Sequence, residues 1–372
     1  MPYGNLALDT ITTSTGQTFG ASSASTMKNR IINGDMRIDQ RNGGASITTS
    51  ALQSNTYFLD RWYYYNDAAS KLSIQQVADA PAGFYNSLKA TVIATDATGP
   101  EQLIRHKIEG YNIVDLAWGT VNAKTCTFSF WVKSSVTGQM GGSICSSNLD
   151  NCYPFAYTVN QGNTWEYKTV TVTGPTSGTF TSTNAVGIVL GFELGVGFQK
   201  QPANTWWPGN STTSNGSVNL CATNGATWQV TGVQLEVGAA ATTFDYRNYQ
   251  TELALCQRYF STTYTQGVAL GTASQPNART AYAFDASTLT RSWFVNCNFP
   301  VTMRTIPTVT IYDQASGTVG NVREYSSAVS RVVSSINNGG QSGDQGLFGY
   351  MLLATNGNQI PQQFHLACSS EL

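Results

Sequence analysis

Charged side chains are scarce in this sequence. They make up 11% of its 372 residues, well under the roughly 25% of an ordinary soluble domain. The net charge is -1 and no cluster of lysine or arginine occurs, which excludes the basic surface that binding to phosphate backbones requires. No apolar run reaches the roughly 18 residues of a membrane span, and the first residues lack a secretory signal. We therefore expect no nucleic-acid partner, no membrane insertion, and synthesis in a cytoplasm without export.

Histidine is almost absent, which limits the available chemistry. The two histidines are His106, in a polar strand beside Arg105 and Lys107, and His365, in an apolar strand. We expect His106 to be exposed and His365 to be a packed strand residue. A metal site needs paired ligands at short spacing, and a serine hydrolase needs a nucleophile motif with a base. Neither pattern is present, so we expect no metal ion and no cofactor.

The seven cysteines, an odd number, do not form a complete disulfide framework. Cys145 and Cys152 flank the tight segment 146–151 and can bridge in an oxidising environment, but the sequence does not decide whether they do. The cysteines in apolar surroundings are expected to be buried free thiols; these are Cys126, Cys256, Cys297 and Cys368.

In place of charged residues, the sequence is rich in glycine, small polar residues and aromatics. The sequence has 35 glycines, 18 tyrosines and 8 tryptophans. This composition is typical of all-β proteins with many turns and neutral, hydrogen-bonding surfaces. The length suggests two or three domains.

Short apolar runs between turn residues predict strands along most of the chain. In the first part these strands are residues 31–38, 58–66, 71–77, 86–93, 102–108, 126–133, 141–146, 155–159, 165–172, 187–194 and 228–236. In the last part they are residues 267–271, 280–284, 291–299, 308–312, 329–336, 347–355 and 363–368. The spacing predicts a two-sheet antiparallel sandwich followed by a second β-domain. Pro300 and Pro307 bracket a segment that is expected to be a loop.

Alternation is cleanest in residues 125–132, where Phe128 and Phe130 are expected to face inward with Cys126 and Val132. Trp131 then faces the opposite way, and we expect a loop or a neighbouring subunit to cover it. Residues 251–260 are the best helix candidate, capped by Thr251. This helix is expected to link the two β-domains.

Several motifs resemble a β-sandwich module of tailed-phage virion proteins, such as tail fibres. They occur in the same order as in that family and cover about residues 29–260. The motifs are residues 29–36 (NRIINGDM), 60–62 (DRW), 128–133 (FSFWVK), 165–168 (WEYK), 233–249 (VQLEVGAAATTFDYRNY) and 252–260 (ELALCQRYF).

The resemblance implies a jelly-roll sandwich similar to carbohydrate-binding modules of the galactose-binding-like type. It implies an N-terminal virion-attachment arm at 1–28, the sandwich at 29–249, a short helical linker at 250–260 and a C-terminal β-domain at 261–372. A homotrimer in the virion, contacting other virion proteins through the arm, is expected from the family. Without its partners, the alternative for residues 1–26 is a disordered leader.

Residues 199–224 have little strand character, and such long loops are usually functional or disordered. Trp206 and Trp207 lie there with Asn210. One interpretation is carbohydrate binding, with the indoles stacking on a sugar and Asn210 bonding its hydroxyls. The other is that the two indoles plug the end of the sandwich or a trimer contact. The same two interpretations, sugar contact or structural packing, apply to the three tyrosines at 63–65. There the alternation of the sequence favours packing in the core.

Glycan cleavage needs two carboxylates across the scissile bond. Sequence spacing cannot show which carboxylates converge among the candidates Glu101, Glu109, Asp150, Glu166, Glu193 and Glu236. We therefore expect no enzyme activity. The favoured hypothesis is a fibre or spike-type virion protein that binds host surface glycans. The alternatives are a purely structural capsid or baseplate component and, last, a polysaccharide depolymerase.

Overall fold

The computed structural model describes residues 10–12, 18–20, 27–50, 52, 55–197, 199–285, 292–325, 328–337, 342–353 and 361–372. The chain divides into two compact units. The first comprises Met1–Arg37, Thr48–Thr56 and Trp62–Asn248, and the second comprises Ile38–Ile47, Tyr57–Arg61 and Tyr249–Leu372. Within the described ranges, no helix is both long and apolar enough to cross a membrane.

The first part of the chain is built from short strands. They are β1 (Thr10–Thr12), β2 (Thr18–Gly20), β3 (Ile47–Thr48), β4 (Thr56–Leu59), β5 (Trp62–Asn66), β6 (Leu72–Val77), β7 (Ser87–Val92), β8 (Gln102–Glu109), β9 (Cys126–Ser134), β10 (Gly138–Ser146), β11 (Cys152–Val159), β12 (Glu166–Val172), β13 (Val186–Glu193), β14 (Lys200–Gln201), β15 (Thr213–Ser214) and β16 (Thr227–Val237). Short 3-10 turns span Gly110–Asn112, Val114–Leu116 and Leu220–Ala222. Most of the predicted arm, 1–28, lies outside the described residues. Within it, β1 and β2 pair as an antiparallel hairpin.

Two antiparallel sheets form the sandwich of the first unit. One has the strand order β11, β10, β13, β8 and β5, and the other has the order β12, β9, β16, β7 and β6. The chain crosses repeatedly from one sheet to the other, since β8 and β10 lie in the first sheet while β7 and β9 lie in the second. The predicted all-β jelly-roll sandwich is confirmed.

Aromatic side chains fill the space between the two sheets. Phe128 of β9 meets Phe155 of β11 and Phe192 of β13, with ring centroids 5.2 and 5.7 Å apart. Trp228 of β16 is fully buried, and its indole N–H donates to the hydroxyl of Tyr157 at 2.9 Å. Burial of such large rings supplies most of the stabilisation, at roughly 25 cal/mol per Å² of apolar area.

Residues 29–34 continue the second sheet where β7 ends. The N–H of Arg30 donates to the carbonyl of Leu235, and the N–H of Val233 donates to that of Gly34, both at 2.9 Å. The buried side chain of Asn29 donates to the Val233 carbonyl at 3.0 Å and accepts from the Leu235 N–H at 3.1 Å. Residues 29–34 of the NRIINGD motif therefore supply hydrogen-bond partners to the part of β16 that β7 does not pair with.

The predicted strand at 31–38 is wrong. Residues 32–35 form a turn, and Asn33 and Met36 have φ of 57° and 59°, in the left-handed region that strands do not use. Ile31, Met36 and Ile38 are all fully buried. Burial of apolar residues in a turn thus produced the alternation that resembled a strand.

The second unit is also almost entirely β. Its described residues contain the helix α1 (Tyr249–Gln257) and the strands β17 (Phe260–Thr262), β18 (Arg279–Asp285), β19 (Ser292–Asn298), β20 (Thr308–Asp313), β21 (Asn321–Glu324), β22 (Ser330–Asn337), β23 (Gly346–Leu353) and β24 (Gln362–Ser369). The sheet order is β17, β24, β18, β19, β23, β22, β21, and β20 also pairs with β24. Its core includes Ala281, Val295, Met303, Ile311, Val322, Phe364 and Leu366.

Two local predictions in this unit need correction. The linker helix begins at Tyr249, so Thr251 lies inside it rather than at its N-cap, while Phe260 opens β17. The predicted strand at 267–271 is wrong, because this segment consists of turns. Gly267 and Gly271 have φ of 81° and 78° there, which an extended strand cannot accommodate.

A buried ionic cluster ties the C-terminus into the second unit. The carboxylate of Glu371 accepts from Arg41 at 2.7 Å and also pairs with Arg61. The Arg61 guanidinium lies 3.6 Å from the centroid of the Tyr259 ring. Asp60 accepts from the backbone N–H and the side-chain amide of Gln40, both at 2.7 Å. Burial raises the pKa of Asp60 to about 7, although Arg41 opposes the shift.

We expect Asn29→Ala to lower the free energy of unfolding by about 3 kcal/mol, because buried backbone groups at Val233 and Leu235 would lose their partners. Urea titration of the wild type and the variant measures this loss. Asn122→Ala, at an exposed position, is the matched control and should change stability by less than about 0.5 kcal/mol. Equal stability of both variants would contradict the role of the motif.

We expect Glu371→Gln to destabilise the second unit by about 3 kcal/mol, because Arg41 and Arg61 would lose the carboxylate that balances them in a buried site. Thermal and urea unfolding check the value. Asp344→Asn, a partly exposed acid of the same unit, serves as the control. A loss no larger than that of the control would show that the cluster is not needed for stability.

Candidate functional site

The outer face of the second sheet presents a pair of aromatic rings. Along β9, Phe128, Phe130 and Val132 are fully buried. Because successive side chains of a strand point to opposite faces, Trp131 points outward, as predicted. Trp131 lies directly opposite Tyr167 of β12 in the strand register. Their ring centroids are 5.3 Å apart, and Tyr167 is 42% exposed. Cross-strand pairing therefore creates an aromatic platform on the side of the sheet away from the core.

A glycine forms the floor beside this platform. The pairing of β16 with β9 shifts register between Thr231 and Gln234, and Gly232 within this bulge has φ of 62°. A Cβ at Gly232 would lie 2.7 Å from Cζ of Phe84 and 3.1 Å from Cδ1 of Trp131. Glycine is therefore required here both by the left-handed backbone and by the close approach of the two rings.

Three further aromatics form the opposite wall. The ring centroids of Phe84, Phe244 and Tyr246 lie between 4.9 and 5.4 Å from one another. The hydroxyl of Tyr246 donates to the carbonyl of Gly83 at 3.1 Å, which fixes a ring that is 56% exposed. Mutual edge-to-face packing of this kind holds aromatic side chains in place while their outer faces remain open.

Buried polar side chains of β16 hold this wall in position. The carboxylate of Glu236 accepts from the N–H and the hydroxyl of Thr242 at 2.8 and 2.6 Å. The side-chain carbonyl of Gln234 accepts from the N–H of Asp245 at 2.8 Å. Glu236 and Gln234 are both 1% exposed, so the segment after β16 is fixed against the outer face of its own strand.

Together these elements enclose a groove of about 520 Å³, within the size range of small-molecule sites. Its lining residues are Ala82, Phe84, Ser129, Trp131, Tyr167, Gly232, Ala241, Thr242, Thr243, Phe244 and Tyr246. None of these side chains is charged at neutral pH, since burial raises the pKa of Tyr167 and of Tyr246 above the ordinary tyrosine value. The groove therefore offers aromatic faces and hydroxyls to a neutral ligand.

Trp206, predicted as a sugar-stacking residue, packs into an aromatic cluster instead of standing free. Its ring lies 5.5 Å from Trp118, 5.3 Å from Tyr153 and 5.9 Å from Phe180. Its indole N–H donates to the carbonyl of Thr173 at 2.6 Å. The Trp206 ring is therefore held by three aromatic neighbours and one hydrogen bond.

Trp207 and Asn210 have different surroundings. Trp207 is 41% exposed, and its backbone exchanges two hydrogen bonds with Cys152 at 2.7 and 2.9 Å. Asn210 is partly buried. Trp207 therefore has an available ring face, but no aromatic partner within the described residues is recorded for it.

Tyr63 and Tyr64 pack in the core as predicted, at 1% and 2% exposed, whereas Tyr65 is partly exposed with the Arg105 guanidinium 4.8 Å from the centroid of its ring. The exposed position predicted for His106 is wrong. His106 is fully buried, with its Nε2 3.0 Å from the carbonyl of Ile32, since its strand has both faces covered. His365 is buried in β24 and stacks on Tyr264 at 4.0 Å, which confirms the prediction for it.

The candidate carboxylates serve structural roles. Glu236 binds Thr242, and Glu166 accepts from the N–H groups of Asn160 and Gln161 at 2.8 Å. Burial, followed by the charge of Glu101, raises the pKa of Glu193, and the two residues are only 2% and 5% exposed. None of the six candidates lines the groove.

The cysteines divide as the sequence suggested. Cys145 and Cys152 form a disulfide across β10 and β11. Cys126, Cys256, Cys297 and Cys368 are buried free thiols, and so is Cys221. In the described part of the chain, no group of three or more histidine, cysteine, aspartate or glutamate side chains is arranged to hold a metal ion.

Sequence reasoning found Trp131 but missed its partners. The outward position of Trp131 followed from alternation, whereas its neighbour Tyr167 depends on the register between β9 and β12. Phe84 and Tyr246 lie in loops that approach each other only after folding. The glycine at 232, inside an otherwise regular strand, was the one local signal of a bulge or a close approach.

Comparison with known proteins gives a partial likeness only. No known family model and no curated protein matches the chain. Among solved structures, the enzymatically active domain of tailspike protein 4 of bacteriophage CBA120 is 13% identical, with a TM-score of 0.33, over 57% of this chain and 22% of the other. A CBM4 structure is 19% identical, with a TM-score of 0.28, over 55% and 98%. The family 11 carbohydrate-binding module of the cellulosomal cellulase Lic26A-Cel5E of Clostridium thermocellum is 12% identical, with a TM-score of 0.27, over 52% and 98%.

We expect Gly232→Ala to close the floor of the groove and to lower the free energy of unfolding by about 1–3 kcal/mol, because the new Cβ adds backbone strain and displaces Phe84 and Trp131. Near-UV circular dichroism should report the changed ring environment, and urea titration the stability. Gly225→Ala is the control, since this glycine also has a positive φ but no atom lies within 4 Å of its Cβ position. If both variants behave alike, Gly232 is needed only for its backbone conformation and not for the close approach of Phe84 and Trp131.

Proposed function

We propose that the first unit binds neutral glycan chains in the groove on its outer sheet face, and that the chain is a fibre or spike-type structural protein of a phage virion. The observation that carries the binding proposal is the Trp131–Tyr167 platform, partly exposed and facing the cluster of Phe84, Phe244 and Tyr246. A sugar ring presents apolar C–H faces and a rim of hydroxyls. Aromatic platforms match the faces, and the exposed Thr243 can bond the rim.

The absence of charge among the groove's lining residues sets the ligand class. An acidic sugar would lose hydrating water in the groove without meeting an unpaired cation. The free energy of this dehydration exceeds the free energy gained from the aromatic contact. Two cations next to the groove are already paired, Lys133 with Asp79 and Lys28 with Glu236. The preferred ligand is therefore an uncharged stretch of a host surface polysaccharide.

The virion role is supported by the ordered motifs that resemble phage fibre modules, above all the segment from Val233 to Phe260. In this proposal the N-terminal arm attaches the chain to other virion proteins, the protein assembles as a homotrimer, and the virion is its final location. Adsorption to host glycans is the expected biological effect.

Binding without cleavage is part of the proposal. A glycosidase needs two carboxyl groups on opposite sides of the bound bond. The groove's lining holds none, and the buried carboxylate nearest to it, Glu236, is committed to Thr242 and lies 3.8 Å from the ammonium of Lys28.

A second candidate function is purely structural. An apolar groove with five aromatic side chains can equally receive a loop of a neighbouring subunit, as interface cores are rich in such residues. The low charge of the chain favours this use too, because few ions would be desolvated at the contact.

Trp131→Ala separates these functions. We expect it to weaken binding to host-surface glycans, measured on a glycan array and by titration calorimetry, by about tenfold, because a stacked aromatic contributes about 1 kcal/mol beyond its buried area. Trp207→Ala is the matched control, since it removes another partly exposed tryptophan of the same unit.

The outcomes point in distinct directions. Loss in Trp131→Ala alone supports the groove, whereas loss in Trp207→Ala alone moves the site to the loop predicted from sequence. No glycan binding by the wild type, together with a changed oligomeric state of Trp131→Ala in light scattering, would replace the glycan proposal with the structural one.

A further inference from the structure

A long segment is laid across the first sheet of the sandwich, and Trp206 anchors it in the aromatic cluster of Trp118, Tyr153 and Phe180. Residues 199–217, here called the strap, contain the parallel pair β14 and β15 and the tryptophans 206 and 207. Its four consecutive residues Ser211, Thr212, Thr213 and Ser214 are each no more than 1% exposed. Lys200 is the only charged residue of the strap, and it is exposed. In this part of the strap, away from Trp206, the buried side chains carry hydroxyl groups.

Hydrogen bonds hold this strap down. The backbone of Trp207 exchanges two hydrogen bonds with Cys152 of β11 at 2.7 and 2.9 Å, and the N–H of Asn204 donates to the carbonyl of Pro154 at 2.8 Å. Gln139 of β10 donates to the carbonyl of Asn215 at 2.6 Å. Each such bond adds only about 1 kcal/mol net, so the strap is sensitive to any unfavourable group beneath it.

Glu193, at the end of β13, is such a group. Its Oε1 accepts from the N–H groups of Gln102 and Gly195 at 2.7 and 2.9 Å. Its Oε2 has no hydrogen-bond partner among the described residues, although the side chain is 98% buried. A Cβ at Gly197 would lie 3.2 Å from this oxygen and 2.5 Å from the Thr212 hydroxyl, so both point into the same space beneath the strap.

The surroundings of Glu193 favour its neutral form. Burial, followed by the charge of Glu101, raises the pKa of Glu193 to about 8, although the Gln102 N–H and the more distant Arg105 oppose the shift. The other titratable groups facing it are Tyr64 and Cys221, whose own pKa values burial raises. At neutral pH both are uncharged, so Arg105 and Glu101 are the charges that act on the carboxyl.

We propose that the strap is a pH-controlled flap, closed while Glu193 carries its proton and released when Glu193 ionises. A protonated carboxyl can place its O–H toward Thr212, whereas a carboxylate would be a buried charge with one oxygen unsatisfied. Opening the strap lets water reach that charge. Because Trp206 and Trp207 lie on the strap, its release changes the aromatic surface at this end of the sandwich.

The sign of the effect follows from proton linkage. Glu193 titrates near 4.5 when exposed and near 8 when covered, so the closed strap binds the proton more tightly. The stabilisation of the closed form is complete below about pH 4.5 and is lost as pH rises toward 8. Between these values the opening equilibrium should increase by about tenfold per pH unit, and above pH 8 it should level off.

Hydrogen exchange of the full chain tests this flap. We expect the amides of Asn204 and Trp207, bonded to the carbonyls of Pro154 and Cys152 of β11, to lose about tenfold in protection from pH 6 to pH 7, after correction for intrinsic exchange. Glu193→Gln keeps an acceptor for Gln102 and Gly195 but cannot ionise. In this variant the protection of the strap should not change with pH.

Glu166→Gln is the matched control, because it replaces another strand-end glutamate, and it should retain the wild-type pH dependence in the strap. A wild-type strap whose corrected protection is constant from pH 5 to 8 would overturn the proposal without any variant. So would an equal loss of protection in Glu193→Gln and the wild type.

Discussion

The departure of β16 from regular pairing at Thr231–Gln234 is the constraint on which the first unit depends. A strand that stayed in register would present one continuous edge to β7 and one flat face to solvent. The bulge at Gly232 instead bends the strand, and β7 no longer follows it. The backbone groups released at Val233 and Leu235 must be satisfied, because buried N–H and C=O groups without partners are costly. Asn29 and Gly34 supply those partners, which explains why an N-terminal turn, and not a strand, belongs to the sandwich.

The same bulge shapes the opposite face of the strand. Because Gly232 has no side chain, Phe84 and Trp131 approach each other over it and a concave floor forms where a sheet would otherwise be flat. Beyond the bulge, Gln234 and Glu236 point outward and bind the chain as it turns back. One irregularity therefore provides both the closure of the fold and the groove. This coupling favours a functional interpretation, since strands without such a feature close a sandwich equally well.

Alternation and turn residues predicted most strands and the sandwich, because one buried face per strand leaves a period of two in the sequence. What the sequence could not show is which strands are neighbours. The contact between Trp131 and Tyr167 depends on the register of β9 against β12, and the second unit takes in residues 38–47 and 57–61 from far upstream. Left-handed residues such as Asn33 and Met36 were also invisible, because their buried side chains imitate a strand.

Tryptophan illustrates why a candidate site is harder to predict than a fold. Trp228 is a core residue, Trp206 closes an aromatic cluster, Trp131 forms a platform and Trp207 is 41% exposed. An adjacent pair on a polar loop was interpreted as a sugar site, whereas Trp131, predicted to face outward, was expected to be covered by a loop or a neighbouring subunit. Whether a tryptophan forms part of a site depends on which side chain lies opposite it on the neighbouring strand. A sugar requires an exposed ring whose orientation is already fixed, because immobilising a mobile ring costs free energy on binding. Trp131, held by Tyr167 on one side and by Phe84 above Gly232 on the other, meets that requirement through contacts that only the fold creates.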